Sequence, residues 1–415
     1  MSDYYKFLDE QINNELKTDI GFNSLISSKP YLFDDEQSKK FFNRYEIIKE
    51  FQKICLNLFQ KSLLEEEDPE IADLVLNELP ENIGEKYHKN LPVRNDQTPV
   101  FFRTDEVIPG KISEIQSPGS SWGIYDQIFS FFNSHKEFNK NKRLFENSLP
   151  FQLSKALKNY LKKDPIVHHL IDNASIPWGM RYFILQTRKH GIKYFGYDKN
   201  ITSYDCNFIR SHAFFGLMAD NFRRFRLEKY EKNELDYDLF PCVLFDQKMP
   251  LIFPFHEKTK KYFSDEIRDI FPFSSLVTPQ GLNLEEGNNI SIDDFCRLPQ
   301  SKRKYFLKYA GSDLEINWGS KSVFYLGKES QIRCKNILEN VLKGYKYRKK
   351  WKIQKAYFTK DENAEYISRE NEILKEKAYS KFSGFYGPNG LMGILVMQRT
   401  FPKVHGSPET IMTIA

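Results

Sequence analysis

Apolar residues recur at helical spacing in the first part of the chain. Phe41, Tyr45, Ile48, Phe51, Cys55, Leu58 and Phe59 mark one buried face of a helix predicted over 36–64. Asp68 and Pro69 supply an N-cap and a first-turn proline for a second helix that ends before Pro80. The pattern then changes to strand alternation. Residues 100–116, VFFRTDEVIPGKISEIQ, read as a hairpin about Pro109-Gly110, because proline presets φ and glycine accepts positive φ in a turn. A small-residue loop, 117–121, leads into a helix predicted to run through Phe132.

Between 151 and 228 helices alternate with short apolar strands. Helices are predicted over 153–161, 180–190 and 213–225, and strands over 166–170, 193–197 and 206–209. That alternation reads as a parallel α/β unit. Beyond 240 strands are predicted at 305–309, 322–326, 351–358 and 391–398, with helices at 259–270 and 332–342. No internal repeat interrupts the order.

Composition narrows the class. A chain of 415 residues with 40% hydrophobic content can bury a sizeable core in more than one domain. The 36 Phe and 23 Tyr argue against disorder. The net charge of +5, from 61 basic and 56 acidic residues, does not mark a nucleic-acid binder. The basic run 343–350, KGYKYRKK, interleaved with aromatics, has two readings: a solvated turn, which is the plainer one, or a phosphate contact. The five cysteines are scattered without CxxC spacing and read as reduced thiols. The acidic, polar opening residues do not read as a signal peptide, and no apolar run reaches membrane-spanning length. The expected setting is cytoplasmic, with neither membrane nor nucleic acid as partner.

The hairpin carries the sharpest chemistry. Folded about its turn, it sets Asp105 opposite Glu114 and Arg103 opposite Gln116, all on one face. Facing carboxylates repel. Two readings fit the pair: the solvated face of an ordinary hairpin, or a site for a hard divalent cation, which takes oxygen ligands from carboxylates, water and phosphate.

A second constellation follows far along the chain. Lys308 nears the end of a strand and enters a loop holding Gly311, Ser312, Gly319 and Ser320 before the next strand. Backbone N–H groups in such a loop can aim at anionic oxygens, and the lysine adds a point charge. A hairpin with a long polar loop is the plainer reading. The strand beginning at Trp351 puts Lys352 and Gln354 on one face, as an edge strand would also do.

Together these residues resemble a family. RxD followed by ExN on the partner strand, here Arg103-Thr104-Asp105 and Glu114-Ile115-Gln116, is similar to the metal hairpin of glutathionylspermidine synthetases and related circularly permuted ATP-grasp ligases. The stretch from Lys308 to Ser322 resembles the ATP-phosphate loop, and the strand from Trp351 to Gln354 the one leading to the adenine pocket. Residues 191–196 and 207–210 resemble the small α/β domain beside the ATP-grasp. The hairpin precedes the lysine strands, as the permutation requires. Gln116 stands where the family has Asn. The first hundred or so residues do not read as the amidase domain of the bifunctional enzyme, because Cys55, their one cysteine, lies on a predicted helix face.

The resemblance implies an α/β (α+β) fold: a circularly permuted ATP-grasp, an adjoining small Rossmann-like α/β domain and N-terminal helices. It divides the chain into a helical segment at 1–95, the metal hairpin and connector at 96–150, the small α/β domain at 151–240 and the nucleotide-binding region at 241–415. It implies ATP-dependent ligation of a carboxylate to an amine through an acyl-phosphate, with ATP and Mg²⁺ as cofactors. Asp105, Glu114 and Gln116 would hold Mg²⁺. Lys308, Gly311, Ser312, Gly319, Ser320, Lys352 and Gln354 would hold ATP, and Arg103 would stabilise charge on the transferred phosphoryl group.

Arg210 and His212, just past a strand end, and Arg399 are further substrate candidates. His168 and His169 lack a third ligand at metal spacing and read as structural, and His405 reads as part of an ordered loop. The alternative function is an ATP-grasp scaffold without catalysis that serves as a nucleotide-binding or regulatory module.

Overall fold

In this computed structural model the described residues are 3–415, apart from 77, 80–82, 92–97, 117–120, 139–142, 171–177, 197–205, 212–222, 241, 286, 312, 314–315, 317–321 and 360–361. Their strands form three sheets, numbered in chain order. The largest runs β14 (Glu362–Ile367), β1 (Leu25–Ser27), β17 (Ile411–Ile414), β16 (Gly390–Arg399), β15 (Ile373–Gly387), β2 (Phe102–Ile108), β3 (Lys111–Gln116). The second runs β10 (Asn289–Ile290), β9 (Gly281–Asn283), β8 (Ser274–Thr278), β13 (Trp351–Lys355), β11 (Tyr305–Tyr309), β12 (Val323–Tyr325). The third is parallel and runs β5 (Lys193–Phe195), β4 (Ile166–Leu170), β6 (Phe208–Ser211), β7 (Asp236–Tyr237).

The large sheet is covered on both faces. Phe382, Tyr386, Ile394 and Val396 face one core, shared with Phe41, Ile48, Phe51 and Phe59 of the N-terminal helices. Phe385, Leu395, Met397 and Ile414 face another, shared with Trp122, Tyr125, Leu153 and Phe183. Period-two alternation along β15 and β16 sends successive side chains to the two layers. The second sheet packs one face, with Leu307 and Ile353, against Leu338 and Val341 of helix Gln331–Tyr345. Its other face carries Lys308 and Lys352.

Several elements differ from the sequence reading. The predicted long helix breaks at Asn43 into Asp35–Phe42 and Arg44–Leu63. The N-terminal stretch also contributes β1, which pairs with β17 in parallel and with β14 antiparallel, so this stretch is not wholly helical. The predicted helix over 259–270 is a 3-10 turn, Lys260–Tyr262, followed by a short helix, Asp265–Asp269. The break follows from Ser264, whose hydroxyl accepts from the Ile267 N–H and starts the second helix afresh. The long strand β15 had no sequence signal. Its first half, ILKEK, is exposed and charged, and pairing with β14 holds it extended. The predicted helix over 213–225 falls almost wholly outside the described residues. Among the described residues no helix is long and apolar enough to cross a membrane.

Candidate functional site

The hairpin β2–β3 turns at Gly110, whose φ of +106° suits glycine. Arg103 pairs with Gln116 and Asp105 with Glu114, and the register returns at Ile108 opposite Lys111. Between these points the ladder is bulged, and Glu106 pairs with Ile112. Arg103 and Asp105 are buried, so the acid pair does not lie on a solvated face. Glu106 points to the opposite core and lies beside Arg44.

Asp105 is held on every side. Arg103 Nη2 donates to its Oδ2 at 3.2 Å, and Arg103 Nε lies 3.1 Å from Oδ1 as an ion pair without hydrogen-bond alignment. Ser383, paired with it from β15, donates to Oδ1 at 2.7 Å. Lys381 Nζ donates to Oδ2 at 3.0 Å. Burial alone would raise this carboxyl. The charges of Arg103 and Lys381 and the Ser383 hydroxyl outweigh it and hold Asp105 well below the usual range.

Glu114 has its own counter-ion, Lys248, at 3.1 Å from Oε1. Burial and the Asp105 charge push its carboxyl up. Lys248, Lys308 and a bond from Gln116 pull it further, down to about 2. The acid pair therefore stays ionised because four cationic side chains act on it, Arg103 and Lys381 at Asp105 and Lys248 and Lys308 at Glu114.

The lysines of the second sheet complete the cluster. Lys308 stands opposite Lys352 in the β11–β13 ladder. Its Nζ reaches the Ser113 carbonyl across the cleft at 3.5 Å and so bridges the two sheets. Burial, with Lys248 and Lys381, draws Lys308 down to about 8 against the pull of Glu114 and Asp105. Lys352 is fully buried and its Nζ has no hydrogen-bond partner among the described residues. Burial first, then Lys308 and Lys248, push it well below the ordinary lysine value. Gln354 on the same face donates to the Ser274 hydroxyl at 3.3 Å. Phe306, Tyr325, Phe358 and Tyr379 form a chain of ring contacts that ties the two sheets together beside Lys308.

Ser274, Leu276 and Thr278 of β8 share the face of Lys352, and they line a cavity of about 1040 Å³. Phe255, His256 and Lys350 also line it.

Lys248, Lys381 and Ser383 were missed in the sequence. Lys381 and Ser383 sit on a strand rich in Lys, Ser and Gly, and Lys248 precedes a proline-containing 3-10 turn. The one available signal was the i, i+2 spacing of Lys381 and Ser383. Of the remaining candidates, Gly311 packs against Glu78 and the Tyr309 hydroxyl. Ser312, Gly319, Ser320 and His212 lie outside the described residues.

Arg210 does not enter a cleft. It is fully buried, pairs with Asp238 at 2.7 Å and lies 4.7 Å from the Trp122 ring, because β6 turns it into the core. Asp238 also accepts from the Phe101 N–H at 2.8 Å, which anchors the approach to β2. Arg399 is bound to Glu409 at 2.8 Å and to His405 at 2.9 Å. His169 bonds the Tyr194 hydroxyl at 3.0 Å inside the core.

No family model matches the chain, and no curated protein matches it. Among solved structures it resembles a glutathione synthetase-like effector, GSS30, from Globodera pallida, determined in apoform. The identity is 12% and the TM-score 0.52, over 99% of this chain and 92% of that one. The likeness is one of fold, and the mixed α/β architecture of this chain is compatible with it.

The donor set bears on a cation. Asp105, Glu114 and Gln116 offer the oxygens a hard divalent ion takes. No group of three or more His, Cys, Asp or Glu gathers among the described residues. Both Asp105 oxygens are occupied by Arg103, Lys381 and Ser383, and Lys248 occupies one of Glu114. A cation would therefore compete with Lys381 and Lys248 for these oxygens. The residues fit one that arrives with phosphate, which offers those ammonium groups a new partner.

Proposed function

We propose that the protein binds a nucleoside triphosphate between the β2–β3–β15 face and the β8–β13–β11 face, and uses it to join a carboxylate to an amine. The observation that carries this is Lys352, a buried amine with no hydrogen-bond partner among the described residues, facing Lys308 across one ladder and the acid hairpin across the cleft. Four cations around two acids, with the buried Lys352 amine beside them, leave a local surplus that a polyphosphate would neutralise. The cavity beside Ser274 and Lys350 has room for the base and sugar. A hairpin that precedes the lysine strands in the chain yet meets them in space is the order of a circularly permuted ATP-grasp, and the synthetase-like fold supports that reading.

In this reading Lys308 and Lys352 hold phosphate oxygens. Arg103, kept in place by Asp105 and by the Ser121 hydroxyl at 2.9 Å, faces the transferred phosphoryl group and steadies charge that grows during transfer to the carboxylate. Glu114, Gln116 and Asp105 would hold Mg²⁺, which supplies charge neutralisation to the terminal phosphates. The acyl-phosphate then yields to the amine and phosphate leaves.

A second reading is a nucleotide-binding module without catalysis. The saturation of Asp105 by protein donors favours it, because a cation would compete with those bonds. Calorimetric titration with ATP and Mg²⁺ tests the shared part, and absence of binding at millimolar ATP removes both readings. ADP release that requires pooled carboxylates and amines supports the ligase. Binding without ADP release supports the module.

A further inference from the structure

Behind the second sheet, away from the cleft, two thiols lie against each other. Cys296 is on helix Ile292–Arg297 and Cys334 on helix Gln331–Tyr345, with their Sγ atoms 3.5 Å apart. Both are buried among Phe295, Leu307, Leu338 and Ile353. A second observation sets this pair apart from ordinary core cysteines. Arg303 beside it is only 2% exposed. Its Nη2 donates to the Glu329 carbonyl at 2.7 Å, and the same guanidinium bonds the Cys334 sulfur. A buried guanidinium that bonds a sulfur favours its thiolate. The bond from Cys296, then the bond and charge of Arg303, draw Cys334 down to about 7, against burial and Glu329. Cys296, as the donor, is pushed up.

We propose that Cys296 and Cys334 are a hydroperoxide-oxidised thiol pair that closes into a disulfide and ties the two helices together. The Cys334 thiolate attacks one peroxide oxygen. The O–O bond breaks, and the departing hydroxide takes a proton to become water. The resulting sulfenic acid is attacked by the Cys296 sulfur, whose proton leaves with the sulfenic hydroxyl as a second water. The two thiols together give two electrons to the peroxide, and the sulfurs move from 3.5 Å to about 2 Å. Local opening of the short helix Ile292–Arg297 admits so small an oxidant. The bond would join residues 38 apart, behind the strands that present Lys308 and Lys352.

The test treats the full chain with hydrogen peroxide at the level that oxidises the half-buried Cys206, then maps peptides without reductant. The expected result is a Cys296–Cys334 cross-linked peptide, reversed by dithiothreitol, with a thermal midpoint raised by about 5 °C. In Cys296→Ser, Cys334 should be labelled by a sulfenic-acid trap at least tenfold above the untreated protein. Oxidation of Cys206 with Cys296 and Cys334 still reduced, or recovered as sulfinic acids, overturns the proposal. So does an unlabelled Cys334 in a folded Cys296→Ser chain. The wild-type map decides by itself if that variant does not fold.

Discussion

Lys352 concentrates the conflict between stability and function in one side chain. Folding strips water from its amine and returns no hydrogen bond from the described residues. Such a group persists only where something else uses its charge. Lys352→Met keeps the length and removes the desolvation cost. We expect it to stabilise the folded protein by about 1–3 kcal/mol, read from urea unfolding, and to weaken ATP binding at least tenfold. A variant that is less stable, or that binds ATP as the parent does, would mean that Lys352 has another partner. Ser383 and Lys381 show the opposite case. Each satisfies Asp105 directly, yet neither was readable, because nothing local distinguishes a lysine on β15 that faces a carboxylate from one that faces water.

Elements are placed by close approaches as much as by burial. Helices Trp122–Ser134 and Trp178–Lys189 cross where Gly123 meets the backbone of Gly179, and a Cβ at Gly123 would lie 1.7 Å from the Gly179 carbonyl oxygen. Gly123→Ala should push the helices apart, destabilise by about 3 kcal/mol and lower the thermal midpoint by several degrees. An unchanged midpoint would show that the pair yields at little cost. The hairpin is the element that sequence reading served best. Its turn residues and its alternation are local, so the Asp105–Glu114 pairing was legible from one stretch of chain. The bulge was not legible. It depends on Glu106 turning into the other core, where its carboxylate accepts from the Gly110 N–H at 2.7 Å.

For the whole molecule, buried acids set the response to pH. Burial pushes Glu106 up to about 7, against Arg44 and the Gly110 N–H, and Asp126 up to about 7, against Lys189. Folded protein keeps protons there that unfolded chain has released, so their contribution is complete below about pH 4 and is lost as pH rises through 7. Asp105 and Glu114 are depressed, and their contribution is present above about pH 4.5 and lost as pH falls toward 2. Unfolding free energies from urea titration should therefore peak near pH 4 and fall by pH 8, by an amount on the order of 5 kcal/mol. A midpoint that rises steadily from pH 5 to 8 would show that Glu106 and Asp126 ionise freely in the folded state.

By itself the sequence settled what short-range chemistry settles. It determined the helices with a single apolar face, the parallel α/β middle, the hairpin register and the two lysine strands, because periodicity and turn residues act within a few positions. Only the tertiary structure decided which charges meet. Lys248, Lys381 and Ser383 come from distant stretches, Arg210 is turned into a core, and β15 is a strand because β2, β14 and β16 make it one. The energy of an ion pair depends on the distance and burial that folding creates, and those quantities have no counterpart along the chain.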